Sequence, residues 1–327
     1  MFDDFTQALG EVASAWPALV PPARMSVSAG ATKNLRIKKP SGAFGPWDRN
    51  ETPYMIRPMD LLASRKYSAV VFVGPARSGK TAALGEGWVS HAVVNDPGDM
   101  AIYQMTQEKA REYSKTRVDR MIRNSPALRE MRSVVARDDN LHDKQFRNGM
   151  WLRIAWPTVA NMSSSDYRYV FGTDYDRWPD DIDGEGDGWT LMGKRTQTFG
   201  SRGKVCAESS PGRVVKDPDW KPTVPHEAPP VGGILGVYNL STRERFYWRC
   251  PHCAEPFEAA PGLGLFRLPS DDELLDGIKD IDIHKFAQQH ARIACHACGA
   301  YIGFDQRATM NRAGVWLTAG LTMDALG

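Results

Sequence analysis

The octapeptide "GPARSGKT", Gly74 to Thr81, constrains the fold of this chain more than any other feature. It fits G-x-x-x-x-G-K-[ST] and stands between the apolar run "YSAVVFVG" and the helical pattern "GKTAALGEGWVSHAV". A loop of this kind works only where a buried strand ends and a helix begins, because the loop N–H groups and the helix N-terminus together surround phosphate. Gly74, Pro75, Ala76, Arg77, Ser78, Gly79, Lys80 and Thr81 are therefore expected to bind ATP or GTP. Lys80 would reach the β and γ phosphates, the Thr81 hydroxyl would bind Mg²⁺, and Gly79 would permit close backbone approach. Arg77 has two readings: a contact to the γ phosphate that stabilises transition-state charge, or a solvated loop residue.

The rest of the chain fits a frame built on that loop. From Leu61 onward strands and helices alternate: "DMAIYQM" reads as a strand, and "TQEKAREYSKTRVDRMIRN" as a helix with Thr106 at its N-cap. "QFRNGMWLRIAW" reads as a hairpin turning at Asn148-Gly149; the strand "YRYVFG", the helix-like "WTLMGKRTQTF" and the strand "GKVCAES" follow. Continuous apolar strands separated by helices predict an α/β fold, a parallel or mixed sheet with helices on both faces. The chain has 327 residues, 42% of them hydrophobic, enough for two domains. The expected division is an N-terminal arm over 1–50, a P-loop ATPase core over 51–215, a Pro-rich linker over 216–235 and a further module over 236–327. Lys33, Arg36, Lys38 and Lys39 in the arm suit either DNA contact or a poorly ordered terminus. Five prolines between Pro218 and Pro230 suit a stiff linker.

A net charge of +2 does not by itself imply nucleic-acid binding. No stretch approaches 18 uninterrupted apolar residues, and the first residues are acidic, so a cytoplasmic protein is expected.

A phosphate loop also needs a carboxylate at the end of a neighbouring strand to hold Mg²⁺, and a group to orient the attacking water. In "YVFGTDYDRWPDDIDGEGDG" the strand is expected over Tyr169 to Phe171; Asp174 and Asp176 are the first acids beyond it. Either suits the metal side or the water side. Asp181, Asp183, Glu185 and Asp187 are spaced like Ca²⁺ ligands, but the glycine and terminal glutamate are misplaced for an EF-hand. They read instead as a turn-rich loop with solvated acids, which Lys194, Arg195 and Arg202 would pair with unless these touch DNA phosphates. In "AESSPGR", Glu208, Ser209 and Ser210 follow an apolar strand, and Ser209 and Ser210 are candidates for sensing the γ phosphate.

Four of the five cysteines form "CPHC" (Cys250, Cys253) and "CHAC" (Cys295, Cys298). Two such pairs predict a structural Zn²⁺ site with four thiolates, Gly299 serving the turn after the second pair. His252 or His296 could replace one cysteine, and "SDDELLDGIKDIDIHKFAQQH" is expected to form a helix-rich excursion between the pairs. Cys206 reads as a core residue.

Together these residues resemble the large terminase subunit of tailed phages, of the GpA type. "TPYMIRPMD" resembles the segment entering that family's ATPase core, "GPARSGKT" its phosphate loop, "DRWPDDIDGEGD" the stretch after its catalytic acids, and "ESSPGR" its Ser-Thr-Pro coupling motif. "CPHC" and "CHACG" resemble the cysteine pairs that follow. The resemblance implies a translocase-type (ASCE) P-loop ATPase followed by a zinc-ribbon-like module. It further implies ATP hydrolysis with Mg²⁺ that drives double-stranded DNA into a procapsid, with a portal, a small terminase subunit and a homo-oligomeric ring as partners, in the host cytoplasm and without a membrane. Asp174 and Asp176 would be catalytic with Arg77, Thr81 and Asp174 would hold magnesium, and Ser209 and Ser210 would couple hydrolysis to movement. One departure stands out: the family pattern Asp-Glu-hydrophobic-Asp-Arg appears here as Thr173-Asp174-Tyr175-Asp176-Arg177, with Thr173 where the Mg²⁺-side aspartate would be. Only 29 residues follow Cys298, so nuclease activity is not expected from this chain. A zinc-containing helicase or remodelling ATPase, and a nucleotide-binding assembly module with little hydrolysis, are the alternatives.

Overall fold

The computed structural model describes residues 25–163, 165–258, 266–267 and 290–319. The helix-like pattern at the extreme N-terminus and the excursion between the cysteine pairs lie outside these residues. Two short strands, β1 (Arg36–Lys38) and β2 (Phe44–Pro46), form an antiparallel pair. The central sheet is built from β3 (Ala69–Val73), β4 (Met100–Tyr103), β5 (Asp143–Gln145), β6 (Trp151–Ala155), β7 (Tyr169–Thr173) and β8 (Lys204–Ser209). Its order is β3-β8-β7-β4-β6-β5; all neighbours are parallel except β5, which pairs antiparallel with β6.

The sequence pattern explains this arrangement. Strands β4, β7 and β8 are buried at every residue, which requires cover on both faces and accounts for their unbroken apolar runs. One face packs against a core containing Val27, Leu84, Trp88 and Met121; the other packs against Tyr175, Trp178, Leu191 and Ile234. The turn at Asn148-Gly149 joins β5 to β6, with Gly149 at φ 83. Thr106 caps its helix by accepting the Lys109 N–H at 3.2 Å. Both helical segments near the phosphate loop contain a π-helical turn, Thr81–Gly87 and Ser114–Val118.

The strand order changes one expectation. Strand β7, which carries Asp174 beyond its end, is not the neighbour of the phosphate-loop strand β3; β8 lies between them. In register, Glu208 of β8 stands beside Phe72 on one side and Thr173 on the other.

Beyond β8, residues 210–233 contain no helix or strand. The helix Ile234–Asn239, which begins inside the expected linker, places Ile234 and Val237 in the main core. Strand β9 (Arg245–Arg249) then pairs with β10 (Pro256–Glu258) and with β14 (Val315–Leu317). β11 (Phe266–Arg267), β12 (Arg292–Ala294) and β13 (Tyr301–Ile302) form a second small sheet. Trp316 and Phe246 dock this part onto the main body: their rings lie 6.3 Å from Phe72 and 5.9 Å from Tyr54 respectively. Among the described residues no helix is long and apolar enough to cross a membrane.

Candidate functional site

The phosphate loop leaves the C-terminal end of β3 and enters the helical segment that begins at Lys80 and Thr81. Its shape depends on two left-handed residues, Arg77 at φ 62 and Gly79 at φ 79. Gly79 needs its missing Cβ twice over, for the positive φ and because a Cβ would press on Thr52 Cγ2. The loop is buttressed from outside: the Tyr54 hydroxyl donates to the Ser78 carbonyl at 3.0 Å, and Trp316 Nε1 donates to the Tyr54 carbonyl at 3.0 Å. Arg77 is exposed.

Lys80 is buried, and its ammonium donates to Ser210 Oγ at 3.2 Å. It lies 3.7 Å from Glu208 Oε2. Glu208 itself is fully buried. Its Oε1 accepts the Thr81 hydroxyl at 2.8 Å and the Thr173 hydroxyl at 2.7 Å, while Oε2 has no hydrogen-bond partner. A buried carboxylate oxygen without a donor is costly unless a cation completes it. Mg²⁺ prefers hard oxygen ligands, one or two carboxylates among them, so the Thr81 hydroxyl and the Glu208 carboxylate form a donor set that suits it.

Burial holds the Glu208 carboxyl above the ordinary glutamate range; the Thr173 hydroxyl, Lys80 and Thr81 oppose that shift and Asp174 adds to it. The folded protein therefore holds this proton more tightly than the unfolded chain does. The contribution of Glu208 to metal-free stability is present below the ordinary glutamate pKa and is lost as pH rises through the raised folded value. Glu208→Gln is expected to raise the metal-free Tm relative to wild type, with a gap that widens as pH rises across this window. Thermal melts in a chelating buffer at several pH values check this, and a flat gap would contradict it.

The other candidate acids separate. Asp174 has left-handed φ, 51°, and sits half-buried beyond β7; among the described residues its carboxylate accepts no hydrogen bond. Asp176 turns elsewhere: its carboxylate accepts the Gly212 N–H at 2.7 Å and the Ile234 N–H at 2.6 Å. Gly233, at φ 72, must be glycine here because a Cβ would collide with Asp176 Oδ1. Asp176 thus ties the chain after β8 to the start of the next helix. Ser209 and Ser210 are adjacent to both regions. Ser209 Oγ accepts the Asp176 N–H at 3.1 Å, while Ser210 Oγ accepts from Lys80.

In the acidic loop, Asp181 accepts the N–H groups of Gly184 and Gly186 at 2.6 and 3.0 Å, and Asp187 caps the helix Gly188–Thr196 through the Thr190 N–H at 3.0 Å. Asp180 pairs with Arg213. These acids serve turns, a cap and an ion pair, which agrees with the turn-rich reading and not with Ca²⁺ ligation. Among the described residues Lys194, Arg195 and Arg202 form no ion pair with them; Arg195 donates instead to the Ser163 carbonyl at 2.8 Å.

Two features escaped sequence reasoning. Glu208 lies inside β8, next to Ser209 at its end, and a glutamate in an apolar strand is a signal in itself. Glu86, buried on the π-helical turn after Thr81, pairs with Arg117 of the facing π-helical turn at 2.5 Å. A cleft of about 300 Å³ beside this pair is lined by Ala82, Glu86, Arg36, Lys38, Arg117 and Arg120. A larger cavity, about 590 Å³, includes Tyr169 and Lys204 at the strand starts, the end of the sheet away from the phosphate loop.

The four cysteines converge. The Sγ atoms of Cys250, Cys253, Cys295 and Cys298 all lie within 4.8 Å of one another, with Cys250 to Cys298 at 3.8 Å and Cys253 to Cys295 at 3.9 Å. A tetrahedron with Zn–S arms of about 2.3 Å has edges of about 3.8 Å, whereas a disulfide would bring the sulfurs to about 2.05 Å. The two pairs share one backbone shape: Ala254 donates to the Cys250 carbonyl and Gly299 to the Cys295 carbonyl, both at 2.9 Å, and both residues have positive φ. His252 and His296 are not in the cluster. Cys206 is fully buried in the sheet.

Comparison with known proteins agrees with this architecture. The family model for "Phage terminase large subunit gpA, ATPase domain" matches residues 41–316. The chain belongs to that family. Among curated relatives of this terminase family, the "Terminase, large subunit" of Enterobacteria phage P21 is 22% identical over 257 residues, covering 76% of this chain. The chain spans 37% of that relative's length. The crystal structure of the HK97 bacteriophage large terminase aligns over 57% of this chain and 38% of that one, at 13% identity and a TM-score of 0.43.

Proposed function

We propose that this chain is the ATP-hydrolysing part of a phage packaging motor that moves double-stranded DNA into a procapsid. The observation that carries the reading is the convergence of Lys80, Thr81, Glu208 and Ser210 at the C-terminal end of a parallel sheet, in a chain of this family. Lys80 and the loop N–H groups hold the β and γ phosphates. Bound Mg²⁺ neutralises phosphate charge as it transfers. Asp174, half-buried and with a carboxylate that accepts no hydrogen bond from a described residue, orients the attacking water. Arg77, exposed at the loop apex, reaches the γ phosphate.

Coupling runs through the two serines. Ser210 touches Lys80, and Ser209 holds the backbone next to Asp174, so a change at the γ phosphate passes to the loop after β7 and, through Asp176, to the helix Ile234–Asn239. The zinc-bearing part over 236–327, joined to the 51–215 core across the segment 216–235, braces Tyr54 through Trp316. A portal, a small terminase subunit and a ring of copies complete the motor in the host cytoplasm.

ATP turnover measured with and without linear double-stranded DNA tests the reading. Wild type should hydrolyse ATP faster with DNA. Lys80→Ala should lose both rates, and Asp174→Asn should bind ATP yet turn over at least about a hundredfold slower, the scale of losing general-base catalysis. Nucleotide binding without any turnover in wild type would overturn it in favour of an assembly module.

A further inference from the structure

We propose that the carboxylate serving nucleotide-bound Mg²⁺ in this protein is Glu208 of β8, and that Thr173 of β7 is its positioning residue. The proposal rests on the ATP-binding reading above. Its support is geometric. Glu208 lies on the strand between β3 and β7, one strand closer to the phosphate loop than Asp174, and in register with Phe72 two residues before Gly74. Its side chain ends against Thr81, the residue whose hydroxyl the loop offers to a metal.

The hydrogen-bond directions fit that role. Carboxylate oxygens only accept when ionised, so Thr81 and Thr173 must both be donors to Oε1. With its proton committed to Glu208, the Thr81 oxygen keeps its lone pairs for a cation. Oε2 is buried and ion-paired with Lys80 at 3.7 Å but accepts no hydrogen bond, so its lone pairs are open to a metal ion or to a water bound to one.

The same geometry explains Thr173. Its side chain is buried and its hydroxyl oxygen is 2.7 Å from Glu208. An aspartate there would set two carboxylates side by side in a dry site, and like charges so close cannot both ionise. Threonine at 173 therefore complements glutamate at 208: the strand beside the acid supplies a donor and not a second charge. Asp174 is left to the attacking water.

Equilibrium binding of a fluorescent ATP analogue, in EDTA and in excess Mg²⁺, tests this without turnover. Mg²⁺ should tighten binding to wild type. In Glu208→Gln, EDTA binding should persist through Lys80 while the tightening by Mg²⁺ falls by at least about tenfold, the scale for loss of a metal-site partner. Thr173→Asp alone should lose the tightening as well, through charge repulsion, whereas the double variant Thr173→Asp with Glu208→Gln should regain part of it by returning a single acid to β7. Retained tightening in Glu208→Gln, or a double variant worse than both single variants, overturns the assignment of Glu208. Wild type that binds no nucleotide in either buffer overturns the ATP-binding reading itself. Circular dichroism of each variant separates loss of fold from loss of metal.

Discussion

Removing the metal from the four-cysteine cluster should unfold the part of the chain that carries it and, through Trp316, loosen the phosphate loop. Among the described residues the small core there has five buried members, Cys250, Phe257, Cys295, Ile302 and Met310, and two of these belong to the cysteine cluster. A core of that size holds too little apolar area to stand alone, so it needs a staple. Structural Zn²⁺ sites contribute on the order of 10 kcal/mol of apparent binding free energy, which is folding free energy where no site exists in the unfolded chain. Metal analysis should find one Zn²⁺ per chain. Chelation, or Cys295→Ser, should remove it, expose residues 245–317 to protease and weaken ATP binding several-fold, because Trp316 Nε1 then no longer holds the Tyr54 carbonyl that precedes the Tyr54 to Ser78 bond. A metal-free protein with unchanged protease resistance would contradict the zinc reading.

Asp176→Ala should cost about 1–3 kcal/mol of stability, since it strands the buried Ile234 N–H, while the exposed Gly212 N–H turns to water. The Asp176 side chain is 2% exposed, and Ile234, one of its two donors, is fully buried. Water cannot replace the acceptor lost by the buried Ile234 N–H. The variant should melt well below wild type, by several degrees for a chain of this size, with Asp176→Asn intermediate because the amide keeps one acceptor. If Asp176 acted instead on the attacking water, Asp176→Ala would keep its Tm and lose only turnover. Denaturation and ATP hydrolysis measured on the same sample distinguish the two.

Where sequence reading succeeded, the chemistry was local in the chain. The loop Gly74 to Thr81 is contiguous, so its sequence declares the strand before it and the helical segment after it. Each cysteine pair folds as one tight turn, so its spacing shows before any tertiary contact forms. The hairpin at Asn148-Gly149 and the cap at Thr106 are likewise set by neighbours a few residues away.

The division of labour among the acids was not local. Asp174 and Asp176 are two residues apart, yet one is free at the strand end and the other is bound by backbone groups 36 and 58 residues further on. Glu208 lies 127 residues from Thr81 and 35 from Thr173, and it meets both only because β8 inserts between β3 and β7. The sequence by itself determined the strand–loop–helix around Gly74 to Thr81, the two cysteine turns and the α/β frame, since each follows from short-range spacing and apolar periodicity. The tertiary structure alone decided which carboxylate stands against Thr81, because strand order is set by long-range packing, and a shift of one strand moves a side chain by about 4.8 Å, more than a metal ligand tolerates.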